Sequence, residues 1–438
     1  MQNKSIDLRP ERKKRIYDLV GIGIGPFNLG LACMSDSVEN LDALFIDEKK
    51  SFQWHPGLLL PSARMQVPFY ADLITLADPM SKFTYINYLH AKQRLFHFAI
   101  LENNFPKRME YLDYCNWAAS LLETLRFGWR CEKICFNKEE NIYEMVIRET
   151  SASEIPEKKL SLFARHIVMG IGSQAYLPPC AEKDRGNTVF HGSEYLFKIR
   201  WITGLKSISV IGSGQSGAEI FQDLLQRMEP EIELNWFTRN AEFFPMDYSS
   251  FALEMAGPDY IDYFFSLPAD QKKSILKSQN HLYKGINASL IREIYEDLDF
   301  QSLRGRKNLH LYPNMELYEI VPQSDGHNLK FRHTRTGRAE EFRTKAIILS
   351  TGYRNTRADF LSPLRNLIRY DDAGQFIVNR NYSIDGRNSL FVQNAEAHTH
   401  GFNASDLGLG PYRNAVILNT ILGKEHFQVE RKISFQHY

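Results

Sequence analysis

The stretch "GIGIGPFNLG", residues 21–30, decides the fold because it joins an apolar strand to a helix through a glycine-rich turn. The apolar residues before it predict a buried strand, and the residues after Gly25 predict a helix. Gly23 permits a tight turn, and Gly25 lets backbone N–H groups approach a pyrophosphate at the positive end of the helix. Asn28 replaces the third glycine of the usual pattern. The stretch therefore predicts a dinucleotide-binding unit.

An acid ends the next predicted strand, "ALFID", at residues 43–47. In dinucleotide-binding folds, a carboxylate about 20 residues beyond the glycine turn binds the ribose hydroxyls. Asp47 has this position, so we expect it to bind the ribose of the first dinucleotide.

A second glycine turn, "SVIGSGQSGAE", follows at residues 209–219, again between a predicted strand and a predicted helix. Its glycines, Gly212, Gly214 and Gly217, have the complete spacing of the motif. The residue after the next strand is Arg239 rather than an acid. A guanidinium suits a 2′-phosphate, so this site predicts NADPH; an ordinary surface arginine is the alternative.

Two dinucleotide sites in one chain indicate a division of labour, in which one cofactor delivers hydride and the other receives it. FAD and NADPH are the usual pair. We therefore predict an α/β fold with two Rossmann-like dinucleotide-binding domains and a smaller, largely helical substrate region. Residues 1–186 and 340–438 are expected to form the FAD-binding domain. Residues 187–339 are expected to form an inserted NADPH-binding domain, which includes the substrate-binding region at 241–305.

Composition narrows the classes of partner. The 438 residues carry 53 Lys and Arg against 52 Asp and Glu, a net charge of +1, so no basic excess favours nucleic acid or an anionic membrane. No apolar run approaches the ~20 residues of a membrane span, and no secretory signal follows Met1. Five cysteines suit a reducing compartment, and Cys131 and Cys135 lack the further ligands of a metal site. We expect a cytoplasmic protein without a metal.

Five stretches together carry a family resemblance: "GIGIGPFNL", "FQWHPGLLLPSARMQVPFYADLITLADP", "VIGSGQSGAEI", "LSTGY" and "NAEAHTHGFNASDLGLGPYR". The chain resembles the flavin-dependent N-hydroxylating monooxygenases of siderophore biosynthesis, the lysine/ornithine N-monooxygenase family. The resemblance implies that NADPH reduces FAD, that O2 forms a flavin C4a-hydroperoxide, and that a primary amine becomes a hydroxylamine. The partners are then a small primary amine and O2, and a homodimer or homotetramer is expected.

The resemblance also assigns residues to the cofactors. It places Trp54, His55, Met65 and Gln66 against the flavin, in addition to Gly23, Gly25, Asn28 and Asp47. On the NADPH side it matches Gly212, Gly214, Gln215, Ser216 and Arg239. Asn287 is expected to touch the nicotinamide ribose and the substrate, Thr351 and Gly352 to lie beside both cofactors, and His400 to close over the flavin. Gln66 and Asn287 are the expected catalytic residues.

Three departures from the family pattern concern the substrate. Where amino-acid-hydroxylating relatives have a lysine, an asparagine and a serine near the substrate, this chain has Ala71, Leu253 and Gly408. A carboxylate buried without a partner is unfavourable, so we expect a substrate without one. Putrescine and cadaverine are favoured, and histamine is the third candidate. Lysine or ornithine is the runner-up if Lys82 or Arg64 supplies the missing cation.

The second ammonium of a diamine would need an acid, and Asp247, Glu254 and Asp406 are the candidates; ordinary surface carboxylates are the alternative. A flavin disulfide reductase would share the two-dinucleotide layout but needs a redox-active cysteine pair, for which only Cys131 and Cys135 are available. A Baeyer–Villiger or sulfur-oxidising monooxygenase would need an F-x-G-x-x-x-H-x-x-x-W motif between the glycine turns, and this motif is absent.

Overall fold

A computed structural model describes residues 14–150, 158–356 and 358–438. The strands of these residues, numbered in chain order, are β1 Ile16–Ile22, β2 Ala43–Asp47, β3 Leu125–Phe127, β4 Trp129–Asn137, β5 Ile142–Glu149, β6 Lys159–Met169, β7 Ser173–Ala175, β8 Val189–His191, β9 Ser207–Ile211, β10 Glu233–Phe237, β11 Leu309–Tyr312, β12 Met315–Gln323, β13 Gly326–His333, β14 Ala339–Thr344, β15 Ala346–Leu349, β16 Tyr353–Asn355 and β17 Leu390–Val392. The helices are α1 Pro26–Ser35, α2 Tyr85–Ala91, α3 Leu95–Leu101, α4 Arg108–Ser120, α5 Pro179–Glu182, α6 Tyr195–Ile202, α7 Gln215–Arg227, α8 Ser250–Glu254, α9 Pro258–Ser266, α10 Ala269–Ser278, α11 Asn280–Tyr283, α12 Ala288–Leu303, α13 Ala397–His400 and α14 Gly410–Leu422.

The first sheet forms around the strand that precedes the first glycine turn. Its order is β3-β2-β1-β6-β5-β4, and β17 pairs with β6. β1 runs parallel to β2 and β6; Leu19 is buried in a cluster with residues of α1 and α14, and Val20 and Ile22 are buried in a second cluster with residues of β4 and β5. α1 packs against α14. The predicted strand–turn–helix unit is therefore confirmed.

An antiparallel hairpin, β4 and β5, extends this sheet and was missed by the sequence analysis. β5 pairs antiparallel with β6, and β4 pairs with β5 around a turn in which Asn141 has a positive φ of 58°. The β-branched and aromatic residues of both segments, on either side of the polar turn at residues 138–141, are the signal that would have found it.

The second sheet is entirely parallel, in the order β11-β10-β9-β15-β8. The predicted α/β class is thus confirmed. β15 lies between β8 and β9 because all four of its residues are apolar and buried. The sheet therefore continues past residue 339, where the inserted domain was expected to end. The separate antiparallel sheet β12-β13-β14 precedes this last strand.

The chain passes between the two sheets through two segments, and these two segments pair with each other as strands. β7 follows the first sheet and β16 follows the second, and the two strands form an antiparallel ribbon in which Tyr353 faces Ala175. The stretch "AYLPPC", residues 175–180, whose two prolines predict a linker, begins at this ribbon. Residues 241–305 contain α8 to α12, and their role in substrate binding stays a prediction. Within the described residues, no helix combines the length and the apolar composition that a bilayer span requires.

Candidate active site

A cavity of about 1340 Å³ lies between the two glycine turns. Gly23 and Gly25 line it from the first turn, and Gln215 and Ser216 line it from the second. Its volume exceeds the range of about 300–1,000 Å³ that is usual for one small ligand. The cavity is therefore large enough for more than one ligand, and both turns face it.

The first turn leaves an open cradle at the start of α1. Gly23 has a positive φ of 85°, and a Cβ there would lie 2.5 Å from the carbonyl oxygen of Gly170. Gly25 is the N-cap of α1, and a Cβ on it would meet nothing within 4 Å. A side chain at Gly25 would therefore fill space in front of the helix N-terminus, where N–H groups bind phosphate. The turn fits a pyrophosphate.

Asp47 and Asn28 both hold this turn, but from different sides. Asp47 lines the cavity, and its Oδ2 accepts a hydrogen bond from the Ile24 N–H at 2.7 Å. Asn28 is fully buried beneath the turn; its Nδ2 donates to the Gly23 carbonyl at 2.8 Å and its Oδ1 accepts from Gln393 Nε2 at 2.7 Å. Asn28 thus positions the turn rather than lining the cavity, and Gln393 was not found from the sequence.

The second turn repeats the arrangement. A Cβ on Gly212 would lie 2.1 Å from the carbonyl oxygen of Ser350, whereas one on Gly214 would come no nearer than 3.8 Å to any atom. The Ser213 hydroxyl lies 2.7 Å from the Thr238 hydroxyl, which ties this turn to the loop after β10. Arg239 follows Thr238 and is exposed, so its guanidinium is free to meet a phosphate beside the turn.

The two expected catalytic residues meet at Gln215, the first residue of α7. Gln215 Oε1 accepts hydrogen bonds from Gln66 Nε2 at 3.3 Å and from the Asn287 backbone N–H at 2.9 Å. Gln66 Nε2 also donates to the Met246 sulfur at 3.6 Å. The structure thus brings Gln66 and Asn287 together, although 221 positions of sequence separate them.

A buried ion pair supports this cluster and was missed by the sequence analysis. Arg108 donates two hydrogen bonds to Glu219, at 2.7 and 2.8 Å, and a third to the Leu58 carbonyl. Glu219 in turn accepts from Gln215 Nε2 at 3.0 Å. The spacing of four residues between Gln215 and Glu219 on α7 places them on one helix face and was a usable signal. Nothing in the sequence pointed to Arg108.

Trp54, His55 and Met65 line the cavity, as does Gln66. The rings of Trp54 and His55 meet edge to face with centroids 4.7 Å apart. Burial and the nearby Arg108 guanidinium lower the pKa of His55 to about 4. His55 is therefore neutral at pH 7 and adds no charge to this wall.

Thr351, Gly352 and His400 lie at the margin of the site or outside it. Thr351 donates to the Tyr176 carbonyl at 2.5 Å, and the Gly352 carbonyl accepts from Tyr176 at the ribbon between the halves. His400 was expected to close over the flavin. Its ring is 1% exposed, stacks on Tyr382 with centroids 4.5 Å apart and does not line the cavity, and its role at the flavin stays a prediction.

The expected substrate positions have an apolar character. Ala71 is buried, and its Cβ lies 3.5 Å from the place that a Cβ on Gly408 would take. Leu253, on α8, lines the cavity. Ala71 and Gly408 are therefore neighbours beside Asp406, which lines the cavity although they themselves do not, and neither offers a charge or a hydrogen-bonding side chain.

The three candidate acids have different surroundings. Asp247 and Asp406 line the cavity, but Asp247 is exposed and its Oδ1 accepts from the Ser249 N–H at 2.8 Å. Glu254 does not line the cavity, and its oxygens accept the backbone N–H groups of Phe435 and Gln436. Glu254 holds the C-terminal segment, so it is removed from the candidates.

The cysteines do not form the pair that a disulfide reductase needs. Cys131 and Cys135 lie on one strand, β4, where four residues span about 13 Å, far beyond the Cα separation of a disulfide. Burial raises the pKa of Cys131 to about 12, so it stays a thiol. In the parts of the chain that the structure describes, no group of three His, Cys, Asp or Glu side chains could hold a metal ion.

Comparisons with known proteins agree with this architecture. The model of the L-lysine 6-monooxygenase/L-ornithine 5-monooxygenase family matches residues 15–355. A putrescine N-hydroxylase from Shewanella oneidensis is 41% identical over 432 residues, which cover 98% of this chain and 86% of that protein. The solved structure of the FAD-bound cadaverine monooxygenase of the desferrioxamine pathway from Erwinia amylovora is 42% identical, with a TM-score of 0.94 and coverage of 97% of this chain and 99% of that chain. An ornithine N-hydroxylase from Kutzneria sp. 744, solved with reduced FAD, NADP+ and L-ornithine, is 25% identical, with a TM-score of 0.86 and coverage of 93% and 99%.

Proposed function

The chain belongs to the L-lysine 6-monooxygenase/L-ornithine 5-monooxygenase family, and on this premise we propose that it uses NADPH and O2 to hydroxylate the nitrogen of a primary amine that has no carboxylate. The enzyme is an FAD-dependent amine N-monooxygenase of siderophore biosynthesis. Putrescine or cadaverine is the favoured substrate and histamine is the third candidate. The names of two similar proteins, a putrescine N-hydroxylase and a cadaverine monooxygenase, support this choice.

The closeness of Ala71 and Gly408 carries the proposal. The resemblance places a lysine and a serine of amino-acid-hydroxylating relatives at these two positions, and here they hold only a methyl group and a hydrogen atom. A substrate carboxylate at this end would lose its hydrogen-bonding partners, at a cost of about 1–3 kcal/mol or more for a charged group. A substrate without a carboxylate avoids that cost.

FAD and NADPH supply hydride transfer and the activation of O2 when they are bound. The chain contributes the positions of its own groups. The open cradle at Gly25 and the Asp47 carboxylate suit FAD, and the turn at Gly214 with Arg239 suits NADPH. Gln66 and Gln215 hold each other at the meeting point of the two halves. These residues bind and orient, and the surrounding wall excludes water.

The cavity wall favours the reactive form of an amine. Only the neutral amine has a lone pair that can attack oxygen, and an alkyl ammonium has an ordinary pKa near 10.4. An apolar surrounding lowers the pKa of such a group. Trp54 and Met65 provide apolar surface, and His55 stays uncharged. The wall therefore stabilises the deprotonated nitrogen at the reacting end.

Lysine or ornithine is the alternative substrate, and it depends on a replacement cation. Lys82 pairs with Asp36 at 2.8 Å and does not line the cavity, so it is removed from this role. Arg64 lines the cavity and donates to the Phe105 carbonyl at 3.0 Å. An α-amino acid substrate would therefore depend on Arg64.

A panel of amines tests the proposed function. Putrescine, cadaverine, histamine, L-lysine and L-ornithine are each incubated with the FAD-loaded enzyme, NADPH and O2, and the hydroxylamine product is quantified against NADPH oxidised. We expect a diamine to give at least about tenfold higher kcat/KM than either amino acid, which corresponds to one lost charged contact. A clear preference for L-lysine or L-ornithine would contradict the argument from Ala71 and Gly408.

Arg239→Ala tests the assignment of the second site to NADPH. We expect kcat/KM for NADPH to fall by about 10- to 100-fold, since a guanidinium–phosphate contact contributes about 1.5–3 kcal/mol. The value for NADH should change by less than about threefold, because NADH lacks the 2′-phosphate. The control is Arg304→Ala, which removes an exposed arginine at the end of α12. An equal loss with both nucleotides would remove the assignment.

Localisation and assembly follow from the same proposal. All five cysteines are free thiols, which suits a cytoplasmic enzyme supplied with NADPH. We propose a homodimer or homotetramer, which light scattering of the purified holoenzyme would measure directly.

A further inference from the structure

The Asp406 carboxylate lies beside two of the expected substrate positions, Ala71 and Gly408. Its Oδ1 lies 3.2 Å from the place that a Cβ on Gly408 would take, and that place is 3.5 Å from the Ala71 Cβ. Asp406 also lines the cavity. The end of the site where the resemblance places a cation for a carboxylate therefore has an anion instead.

This carboxylate is half-buried at the cavity wall, and only one of its two oxygens accepts a hydrogen bond from the described residues. Oδ1 accepts a hydrogen bond from the Gly408 N–H at 2.7 Å. In the described parts of the chain, Oδ2 accepts no hydrogen bond and Asp406 belongs to no ion pair. Burial raises the pKa of Asp406, and this effect exceeds the opposing effects of the Gly408 N–H and of the Arg413 charge, with which Asp406 forms no ion pair. A cationic ligand would complete its surroundings.

Tyr248 gives the same place an aromatic wall. Its ring lines the cavity and packs against Phe105 with centroids 6.0 Å apart. Tyr248 and Asp406 line the same cavity, and the Asp406 carboxylate adds to the larger effect of burial that raises the pKa of Tyr248. A carboxylate beside an aromatic ring is a suitable site for an alkyl ammonium.

We propose that Asp406 binds the second, unreacted ammonium of a diamine substrate and so determines the specificity of the enzyme. The inference rests on the proposed function, because it concerns the same cavity and names the substrate group that the cavity recognises. The other candidate acid that lines the cavity, Asp247, is exposed to solvent and already accepts the Ser249 N–H. Of these two acids, Asp406 has the carboxylate that would gain more from an ion pair with the ammonium of a bound substrate.

The experiment compares each diamine with the monoamine that lacks its second nitrogen. Putrescine is paired with n-butylamine and cadaverine with n-pentylamine, and kcat/KM for hydroxylamine formation is measured with the FAD-loaded enzyme. We expect the wild-type enzyme to prefer the diamine by about 30-fold or more, since removing one partner of a buried charge pair has effects of this size. Comparable values for the diamine and the monoamine would overturn the proposal without any variant.

Asp406→Asn then removes the charge and keeps an acceptor for the Gly408 N–H. We expect kcat/KM for the diamine to fall by about 30-fold or more, mainly through KM, and the value for the monoamine to stay within about threefold. Asp247→Asn should keep the diamine preference. A preference that survives in Asp406→Asn and disappears in Asp247→Asn would overturn the assignment.

These experiments distinguish an error in the role of Asp406 from an error in the proposed function. If the wild-type enzyme oxidises NADPH but forms no hydroxylamine from any amine of the panel, the proposed function is wrong. If it hydroxylates amines and Asp406→Asn keeps the wild-type ratio of diamine to monoamine, only the role of Asp406 is wrong.

Discussion

Arg108→Ala is expected to lower the free energy of unfolding by about 3–5 kcal/mol, because it leaves the Glu219 carboxylate buried without its cation. The Glu219 side chain is 2% exposed, and Arg108 provides two of its hydrogen bonds. For domains of 150–250 residues, each kcal/mol shifts the melting temperature by about 2–4 °C, so we expect a fall of roughly 6–20 °C. Thermal unfolding of the FAD-free protein measures it.

Two further variants separate the buried pair from a general effect of lost charge. Arg15→Ala breaks the exposed pair between Arg15 and Asp42 and should cost no more than about 1 kcal/mol. The double variant Arg108→Met with Glu219→Met replaces both charges by apolar groups and should recover much of the loss, as other buried pairs do. A loss below about 1 kcal/mol in Arg108→Ala would show that the pair does not hold the two halves together.

Gly25→Ala is expected to yield a folded protein that retains little FAD after purification. A Cβ at Gly25 meets no protein atom within 4 Å, and the backbone there has a φ of −88°, which alanine adopts without strain. The added methyl group instead occupies the cradle before the N-terminus of α1. We expect FAD affinity to fall at least tenfold, or about 1.4 kcal/mol. The flavin absorbance of the purified protein, followed by titration with FAD, is the measurement.

Gly386→Ala is the matched control, since a Cβ there also meets nothing within 4 Å and Gly386 does not line the cavity. It should retain the wild-type amount of FAD. Gly23→Ala is expected to fail differently, through misfolding, because its Cβ would collide with the Gly170 carbonyl at a positive φ. Full retention of FAD by Gly25→Ala would place the pyrophosphate elsewhere.

The local parts of the fold could be predicted from the sequence because their signals are local. Each glycine turn, its strand and its helix lie within about 20 consecutive residues, so the apolar runs and the spacing of Gly23 and Gly25 were sufficient. The place of β15 was harder to assign. The sequence of β15 predicts only that it is a buried strand. The sheet to which such a strand belongs depends on its pairing with distant segments, here β9.

The supports of the site could not be predicted because they join residues far apart in the chain. Asn28 reads as an imperfect motif, and only the structure shows that Gln393 fixes its amide. Arg108 lies in α4, within the first part of the chain, and its partner Glu219 lies in the second glycine unit. The resemblance places His400 at the cofactor, and the sequence did not show that its ring is buried against Tyr382.

The residues around the substrate could be predicted from the sequence only in part. The sequence shows the residue types at Ala71 and Gly408, which depart from the family pattern. It does not show that these two residues are neighbours or that Asp406 lies near both. The sequence offered three acids without a means to rank them. Hydrogen bonds from the C-terminal segment to Glu254 and the exposure of Asp247 provide that ranking.

The pairing of β17 with β6 has a consequence for synthesis on the ribosome. The last strand of the second sheet ends at Leu349, whereas β17 and Gln393 emerge later in translation. The inserted half can therefore finish its sheet while the N-terminal half still awaits a strand and the amide that secures Asn28. A chain that ends before Gln393 lacks the strand and the amide that complete the first glycine turn. We therefore expect FAD to bind only near the end of translation.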